Sequence, residues 1–204
     1  MATVKSPGGI TDLMIQLTTP ISEETIRALK VGESVEISGI VFTGRDVVHK
    51  YLHEGGELPP GVRLRDGILY HCGPVVMKDE QGRWKVTAAG PTTSIREEPY
   101  QGGIIRKFGL RGVIGKGGMG DGTLKACGEY GCVYLHAVGG AAQVLAECIT
   151  AVRNVYFLEK FGSPEAIWEL EVKSFPAVVT MDSHGGSLHK EVFAASQAEL
   201  AKRL

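Results

Sequence analysis

Residues 112–152 of the chain read GVIGKGGMGDGTLKACGEYGCVYLHAVGGAAQVLAECITAV. Short β-rich runs at 112–114 and 133–136 alternate in this stretch with helix-forming runs near Thr123 and over 141–152. Such alternation is typical of α/β proteins, in which helices cover a sheet. The stretch therefore predicts an α/β fold, and a chain of 204 residues with 43% hydrophobic content is expected to form a single domain over residues 1–204.

The rest of the chain adds further helices and strands to this pattern. Ser22 is a predicted N-cap, and the helix that it begins is expected to end near Gly32. We predict a second helix after Arg45 and an amphipathic helix over 188–204. The remaining predicted strands lie at 35–42, 68–72, 84–88, 168–172 and 177–181, the last two separated at Phe175-Pro176.

The composition argues against a nucleic-acid or membrane partner, because 22 Lys+Arg against 23 Asp+Glu leave a formal charge of -1. The N-terminus has no apolar core of a secretory signal, so we expect a cytoplasmic protein. The most apolar long stretch, 132–149, carries polar residues and a Gly-Gly pair, which makes it a poor bilayer span. Roughly the first ten residues are expected to be disordered.

The four cysteines indicate no metal site and no disulfide framework. They are scattered without a CxxC pair, as expected for reduced thiols. Cys127 and Cys132 are five positions apart and could be two ligands of zinc or of an iron–sulfur cluster, but no third ligand follows at short spacing. We interpret them as small buried hydrophobic residues.

The glycine-rich segment matches a nucleotide-binding pattern incompletely. Gly115, Gly117 and Gly120 satisfy GxGxxG, but the carboxylate that should end the following strand is missing. A P-loop fails because Gly117 follows Lys116 where Ser or Thr should bind magnesium, and Leu110 occupies the place of the first loop glycine. The segment is better suited to a non-nucleotide anion.

Three polar turns carry the groups that such an anion needs. Lys116 lies among glycine N–H groups, although a tight turn with a solvated lysine explains the same residues. Arg45 can present a planar fork to a carboxylate, or it can be a surface arginine paired with Asp46. Residues 92–94 offer three hydroxyls with Arg96 behind them, or they cap a helix.

Motifs that carry a family resemblance are spread over nearly the whole chain. They are Thr18-Thr19-Pro20, Thr43-Gly44-Arg45-Asp46 with His49, His71-Cys72-Gly73-Pro74, Gly90-Pro91-Thr92-Thr93-Ser94, Gly115-Lys116-Gly117-Gly118-Met119, Gly139-Gly140-Ala141-Ala142, Pro164-Glu165-Ala166 and Met181-Asp182-Ser183-His184-Gly185. Together, in this order, they resemble the β subunit of class I, iron–sulfur-dependent fumarate hydratase, a family closely related to the β subunit of L-tartrate dehydratase.

The resemblance implies a swivelling β/β/α fold and a partner α subunit. In this family the α subunit holds a [4Fe-4S] cluster through three cysteines and leaves one iron open as a Lewis acid. The reaction adds water to fumarate and gives L-malate. By this resemblance the present chain would hold no cluster, would be active only with its α subunit, and would form a higher oligomer of αβ units.

The resemblance also implies roles for individual residues. Arg45, Thr93, Arg96 and Lys116 would bind a small dicarboxylate substrate, and Thr92 and Lys116 would take part in catalysis. Thr92 would face the carbon that gains or loses a proton, as a base, a proton relay or an orienting group. Cations suit this site because removing a proton beside a carboxylate builds negative charge on it.

Two departures from the family pattern bear on this expectation. Glu97 and Glu98 replace a common methionine and its neighbour, and their carboxylates are expected to pair with Arg96 and weaken its hold on substrate. Ala141 stands where tartrate dehydratase-like chains usually have cysteine, which favours fumarate over tartrate. His49 is expected to be structural. A non-catalytic anion-binding module of the same fold remains the alternative to an enzyme.

Overall fold

The computed structural model describes residues 14–203, and most of its strands belong to one mixed sheet. The strands are β1 (Ile15–Thr18), β2 (Ser34–Thr43), β3 (Ile68–Tyr70), β4 (Val75–Lys78), β5 (Trp84–Ala88), β6 (Gly112–Gly115), β7 (Val133–His136), β8 (Ile149–Tyr156) and β9 (Ile167–Met181). The helices are α1 (Glu23–Ala28), α2 (Asp46–His53), α3 (Glu98–Phe108), α4 (Asp121–Tyr130), α5 (Ala142–Glu147), α6 (Leu158–Phe161) and α7 (Leu188–Ala201). The disorder expected for the first residues lies outside the described range.

Five strands close into a barrel. The sheet order is β1-β2-β3-β6-β7-β9-β8, and an additional pairing of β2 with β9 closes the ring through β2, β3, β6, β7 and β9. The first four of these strands run parallel, and β9 is antiparallel to both of its barrel neighbours. The result is a single-domain α/β fold with mixed sheets and flanking helices, as the alternating pattern predicts.

The barrel has separate inner and outer hydrophobic layers. Side chains alternate across each strand, so Ile68 and Tyr70 belong to the inner core, whereas Leu69 between them belongs to the outer one. The outer core also contains side chains of α2, α3 and α4, such as Ile105. These three helices therefore cover one side of the barrel, and the loops that lead into them are fixed at its rim.

The strands predicted at 168–172 and 177–181 are one continuous strand, so that prediction is wrong. β9 continues through Phe175-Pro176 and pairs in turn with β8, β2 and β7. Ser174 has a left-handed φ of 49°, which bends the strand just before the proline. A proline is tolerated at such a bend because its missing N–H removes only one ladder bond.

The helix predicted over 141–152 is also wrong in its second half. α5 ends at Glu147, and β8 begins at Ile149. Ile149 pairs with Val172, and Val152 pairs with Leu170. These β-branched residues complete the sheet edge against β9, and this pairing outweighs the local helical pattern.

The terminal helix forms, but it is not amphipathic in the expected sense, since α7 has no buried residue. Its Val192 and Phe193 are 61% and 64% exposed.

The predicted start of α1 is confirmed, because the Ser22 hydroxyl accepts a hydrogen bond of 3.1 Å from Thr25 N. The sequence did not predict β1, β4 or α3.

The cysteines are free thiols, as expected. Cys72, Cys127 and Cys132 are buried, and Cys148 is partly exposed. Burial raises the pKa of the Cys72 thiol to about 12, which keeps it protonated.

Among the helices between residues 14 and 203, none combines the length and apolarity that a membrane crossing requires.

Candidate active site

The predicted polar turns meet at one edge of the barrel. The parallel strands β2, β3, β6 and β7 end side by side, since Thr43 pairs with Tyr70 and Gly115 pairs with His136. Arg45 follows the first of these ends, and Lys116 follows the third. The carboxyl edge of a parallel sheet is where α/β proteins commonly bind ligands, because the connecting loops converge there.

Two turns at this edge are joined by their backbones: the hydroxyl turn, residues 90–96, and the lysine loop, residues 115–120. Lys116 N donates to Thr92 O at 3.2 Å, and Ser94 N donates to Lys116 O at 3.1 Å. Gly115 permits this approach, because a Cβ atom there would lie 1.8 Å from Ser94 Oγ. The structure therefore brings the predicted hydroxyls and the predicted lysine together.

Thr92 is anchored to the end of β3. Its N and its Oγ1 donate to the backbone oxygen of His71 at 2.7 and 3.0 Å. The hydroxyl proton is thus directed at a carbonyl, and the oxygen lone pairs are left for another group. The cap alternative does not hold for Thr93, whose exposed side chain makes no capping bond to the 3₁₀ turn Ser94–Glu97.

Lys116 presents a half-buried ammonium group at the same edge. Its stem lies against the loop after β7, where a Cβ atom on Gly139 would be 3.4 Å from Lys116 Cδ. Within residues 14–203, no carboxylate forms an ion pair with this lysine. An unpaired cation at a loop edge is available to an anionic ligand.

Arg45 is paired with Glu165 and not with Asp46. Arg45 Nε lies 3.4 Å from Glu165 Oε1, and Glu165 Oε2 accepts from Val47 N at 3.1 Å. The guanidinium passes over Gly73, where a Cβ atom would lie 2.8 Å from Arg45 Nη1. Glu165 thus holds Arg45 by its Nε edge and fixes the start of α2. Glu165 belongs to one of the family motifs, but no role was predicted for it.

Arg96 is connected through Asp46 to the arginine turn, residues 43–46. Its Nε lies 3.5 Å from Asp46 Oδ1, and its side chain is 48% exposed. Within residues 14–203, each of these arginines makes one ion pair, at its Nε edge, and Arg45 Nε is buried without a hydrogen bond. The outer face of each fork is therefore available to a carboxylate.

The expectation that Glu97 and Glu98 pair with Arg96 is wrong. Glu98 accepts from Gly120 N at 2.8 Å and from Thr123 N at 3.1 Å, and so caps α4 at the end of the lysine loop. Glu97 is fully buried against Asp46. Both carboxyl groups therefore support the site from behind.

Glu97 and Asp46 are neighbouring carboxyl groups that can share one proton. Burial, together with the neighbouring Asp46, raises the pKa of the Glu97 carboxyl to about 8. The same contact lowers the pKa of Asp46, because the protonated Glu97 donates a hydrogen bond to its carboxylate. At neutral pH, Glu97 is therefore neutral and Asp46 keeps the negative charge that faces Arg96.

This shared proton predicts a pH-dependent stability. In the unfolded chain Glu97 loses its proton near 4.5, whereas the folded chain keeps it until about 8. Its stabilising contribution is complete below the unfolded value and is lost as pH rises between these values. From about pH 5 to about pH 8, the free energy of unfolding of wild type should fall by about 1–3 kcal/mol relative to Glu97→Gln.

Chemical denaturation of both proteins across this range measures the effect, with the exposed Glu80→Gln as the matched control. Asp46 contributes no slope in this window, because its pKa is lowered from 3.8. Parallel curves for wild type and Glu97→Gln would contradict the shared proton.

A chain of buried polar side chains lies beneath the turns. His49 Nδ1 is 2.8 Å from Arg45 O, which confirms the structural role expected for this histidine. The chain continues through Gln101, His71 and Ser94 to Tyr134. The sequence pointed to Ser94 as one of the hydroxyls and to His71 as part of a motif, but it did not identify Gln101 or Tyr134, although a glutamine on the apolar face of α3 is an uncommon feature.

The Met181-Asp182-Ser183-His184-Gly185 motif lies at the opposite edge of the barrel, where Met181 pairs with Tyr134 near the start of β7. Asp182 accepts from Val31 N at 3.1 Å, from His184 N at 2.9 Å and from Gly186 N at 2.8 Å. These bonds fix the turn after β9, so the motif has a structural role.

Comparison with known proteins shows the family to which the chain belongs. The family model described as "Fumarase C-terminus" matches residues 3–192. The chain belongs to this fumarase C-terminus family. The match spans β1 through β9 and includes all three turns at the carboxyl edge.

Relatives of this fumarase C-terminus chain carry two kinds of name. "Putative fumarate hydratase class I" of Geobacillus stearothermophilus is 60% identical over 93% of this chain, which spans only 36% of that protein. "Putative L(+)-tartrate dehydratase subunit beta" of Methanocaldococcus jannaschii is 41% identical, with 84% of this chain and 89% of that protein covered. "L(+)-tartrate dehydratase subunit beta" of Escherichia coli is 33% identical, with 92% and 94% covered.

The class I name raises the question of an iron–sulfur cluster. Within residues 14–203, no three His, Cys, Asp or Glu side chains are grouped so that they could hold a metal ion. The candidate ligands Cys127 and Cys132 are fully buried in the outer core. The described side chains therefore do not fit a cluster.

Proposed function

We propose that this chain is the β subunit of a two-subunit iron–sulfur hydro-lyase that hydrates fumarate reversibly to L-malate. The observation that carries the proposal is the convergence of Lys116, Thr92 and the two arginines at one edge of the barrel. These groups offer cations and a hydroxyl to a small dicarboxylate. The name of the 60% identical relative supports the same reaction.

In this proposal the arginines bind and orient the substrate. Arg45 and Arg96 are each held at Nε, so their terminal nitrogens can form paired hydrogen bonds with the two carboxylates. Thr93, exposed on the hydroxyl turn, donates to a carboxylate oxygen. Two fixed carboxylates place the double bond in one orientation, which is the main contribution of binding groups to such a reaction.

Lys116 and Thr92 act at the reacting carbons. Proton removal next to a carboxylate of malate builds negative charge on that carboxylate, and the Lys116 ammonium stabilises this charge. Thr92 Oγ1 directs its own proton at His71 O and its lone pairs elsewhere. We propose that Thr92 acts as an alkoxide: neighbouring cations favour the loss of its hydroxyl proton to solvent, and Oγ1 then takes the proton from the substrate carbon and becomes a hydroxyl again. The electron pair of the broken C–H bond forms the double bond as the hydroxyl group leaves the adjacent carbon, and the cluster of the α subunit would supply the Lewis acid for that leaving group.

The partner in this proposal is an α subunit that carries the [4Fe-4S] cluster, and the chain is active only with it. Apolar side chains at the same edge support such a contact: Val47, Ile95 and Val138 are 41%, 52% and 62% exposed. Exposed apolar groups beside a polar site are typical of protein interfaces. The proposal extends to a swivelling β/β/α domain over residues 1–204, a cytoplasmic location and a higher oligomer of αβ units.

Tartrate dehydration is the second candidate, because the M. jannaschii and E. coli relatives are named for it. Ala141 and the higher identity to the fumarase-named relative favour fumarate. A non-catalytic module is disfavoured by the enzyme names that these relatives carry.

A substrate panel on the anaerobically reconstituted αβ complex tests the proposal. We expect hydration of fumarate and dehydration of L-malate at a kcat/KM at least about tenfold above those for mesaconate and for either tartrate, since polar sites discriminate between hydroxyl patterns. A preference for L-tartrate would show that the complex is a tartrate dehydratase and not a fumarase. If an intact complex converted none of these compounds, the chain would be a non-catalytic module and the proposal would be wrong.

A further inference from the structure

Five fully buried side chains form one continuous hydrogen-bonded chain under the site. Tyr134 OH donates to Ser94 Oγ at 2.8 Å, and Ser94 Oγ lies 2.8 Å from His71 Nδ1. Gln101 Oε1 lies 2.9 Å from Nε2 of both His71 and His49. The chain ends where His49 Nδ1 meets Arg45 O at 2.8 Å. It therefore connects the hydroxyl turn to the arginine turn.

The protons along this chain can be placed from its two ends. Arg45 O can only accept, so His49 carries a proton on Nδ1. Burial lowers the pKa of His49, so its ring is neutral and its Nε2 is an acceptor. The group facing Nε2 must then be a donor. Only the NH₂ group of the Gln101 amide meets that requirement.

The oxygen and nitrogen of a side-chain amide are distinguished by their partners alone. With Oε1 toward the histidines, Gln101 Nε2 is buried without any partner. That orientation also requires protons on both nitrogens of His49, which is a buried imidazolium. A rotation of the amide by a half turn removes the buried imidazolium and gives both NH₂ hydrogens an acceptor, so that only the amide oxygen is left without a partner.

This orientation of the Gln101 amide also gives both ring nitrogens of His71 a hydrogen-bond partner. Burial and the neighbouring His49 ring lower the pKa of His71 well below its ordinary value, so this ring is neutral as well. Its Nε2 accepts from Gln101, and its Nδ1–H donates to Ser94 Oγ. Ser94 Oγ also accepts from Tyr134, which uses both of its lone pairs.

We propose that Gln101 is a positioning residue whose amide NH₂ bridges His49 and His71, holds both rings in the neutral Nδ1–H form, and so fixes the arginine turn relative to the hydroxyl turn. His71 O in turn anchors Thr92. One amide on α3 thus sets the distance between the group that binds a carboxylate and the group at the reacting carbon. The inference rests on the proposed function for its kinetic consequence only.

Imidazole ¹⁵N spectra of the wild-type 204-residue chain test the hydrogen-bond assignment without any activity measurement. At neutral pH we expect His49 and His71 to show the neutral Nδ1–H tautomer, with Nε2 as a hydrogen-bonded acceptor. An Nε2–H tautomer or an imidazolium at either residue would overturn the assignment and the proposal with it.

Gln101→Glu tests the consequence. Whether it is ionised or keeps its proton, a glutamate cannot donate a hydrogen to both rings, so at least one of His49 and His71 should leave the neutral Nδ1–H form. The folded αβ complex should lose about a hundredfold in kcat/KM, as expected when reacting groups are displaced by about an ångström. Gln197→Glu, on the exposed α7, should keep both tautomers and wild-type activity. Wild-type kcat/KM in a folded Gln101→Glu complex would overturn the positioning role, whereas an inactive wild-type complex with the expected spectra would reject only the proposed function.

Discussion

Lys116→Ala is expected to lower kcat/KM for fumarate hydration by the αβ complex by about two to three orders of magnitude. The side chain is the unpaired cation of the lysine loop, and its backbone is bonded to Thr92 and Ser94. In the proposed reaction it stabilises charge that develops on a substrate carboxylate. Because this charge is larger in the transition state than in the substrate, the loss should appear in kcat as well as in KM.

Steady-state kinetics of the purified complex measure this effect. Lys125→Ala is the matched control, since Lys125 is an exposed lysine on the helix that follows the same loop. It should retain wild-type kinetics. If Lys116→Ala and Lys125→Ala complexes were equally active, Lys116 would have no part in the reaction.

Thr92→Val is expected to lower kcat by about two to four orders of magnitude while KM changes little. Valine keeps the shape of threonine but lacks the oxygen that we propose accepts the substrate proton. His71 O keeps its bond from the residue 92 N–H at 2.7 Å, so the turn should remain in place. Thr92→Ser, which restores a hydroxyl, should recover most of the lost rate.

The control for this pair is Thr87→Val, because Thr87 Oγ1 also donates to a backbone carbonyl, at 3.2 Å, but in the hairpin of β4 and β5. It should leave kcat unchanged. A Thr92→Val complex that only raises KM would show that Thr92 orients substrate and does not exchange its proton.

Local features of the fold could be predicted from the sequence. Ser22 begins α1 because its cap uses the neighbouring Thr25, and β7 is identified by its own apolar run. β9 could not be recognised as one strand, because its barrel partners β2 and β7 are distant in sequence. The pairing of β8 with β9 also explains why the end of the predicted helix 141–152 is a strand.

The candidate site shows the same difference between local features, which could be predicted, and contacts between residues that are distant in sequence, which could not. The proximity of Arg45 and Lys116 could be predicted because each follows the end of a parallel strand in a short polar turn, and parallel strands bring such ends together. Thr92 follows the antiparallel strand β5 and reaches the same edge through its bonds to His71 O. The groups that hold them could not be identified. Glu165 bonds to Val47 across 118 positions of sequence, and Gln101 contacts His49 across 52. No local pattern marks such partners, since each is explained only by the closed barrel and the helices on it.

Fumarate hydration measured anaerobically for this chain alone, for its α subunit alone and for their mixture tests the central claim most directly. The proposal predicts activity in the mixture only, rising in proportion to this chain until the two subunits are equimolar. Full activity of the α subunit without this chain, or an assembled and cluster-loaded complex that leaves fumarate unchanged, would contradict it.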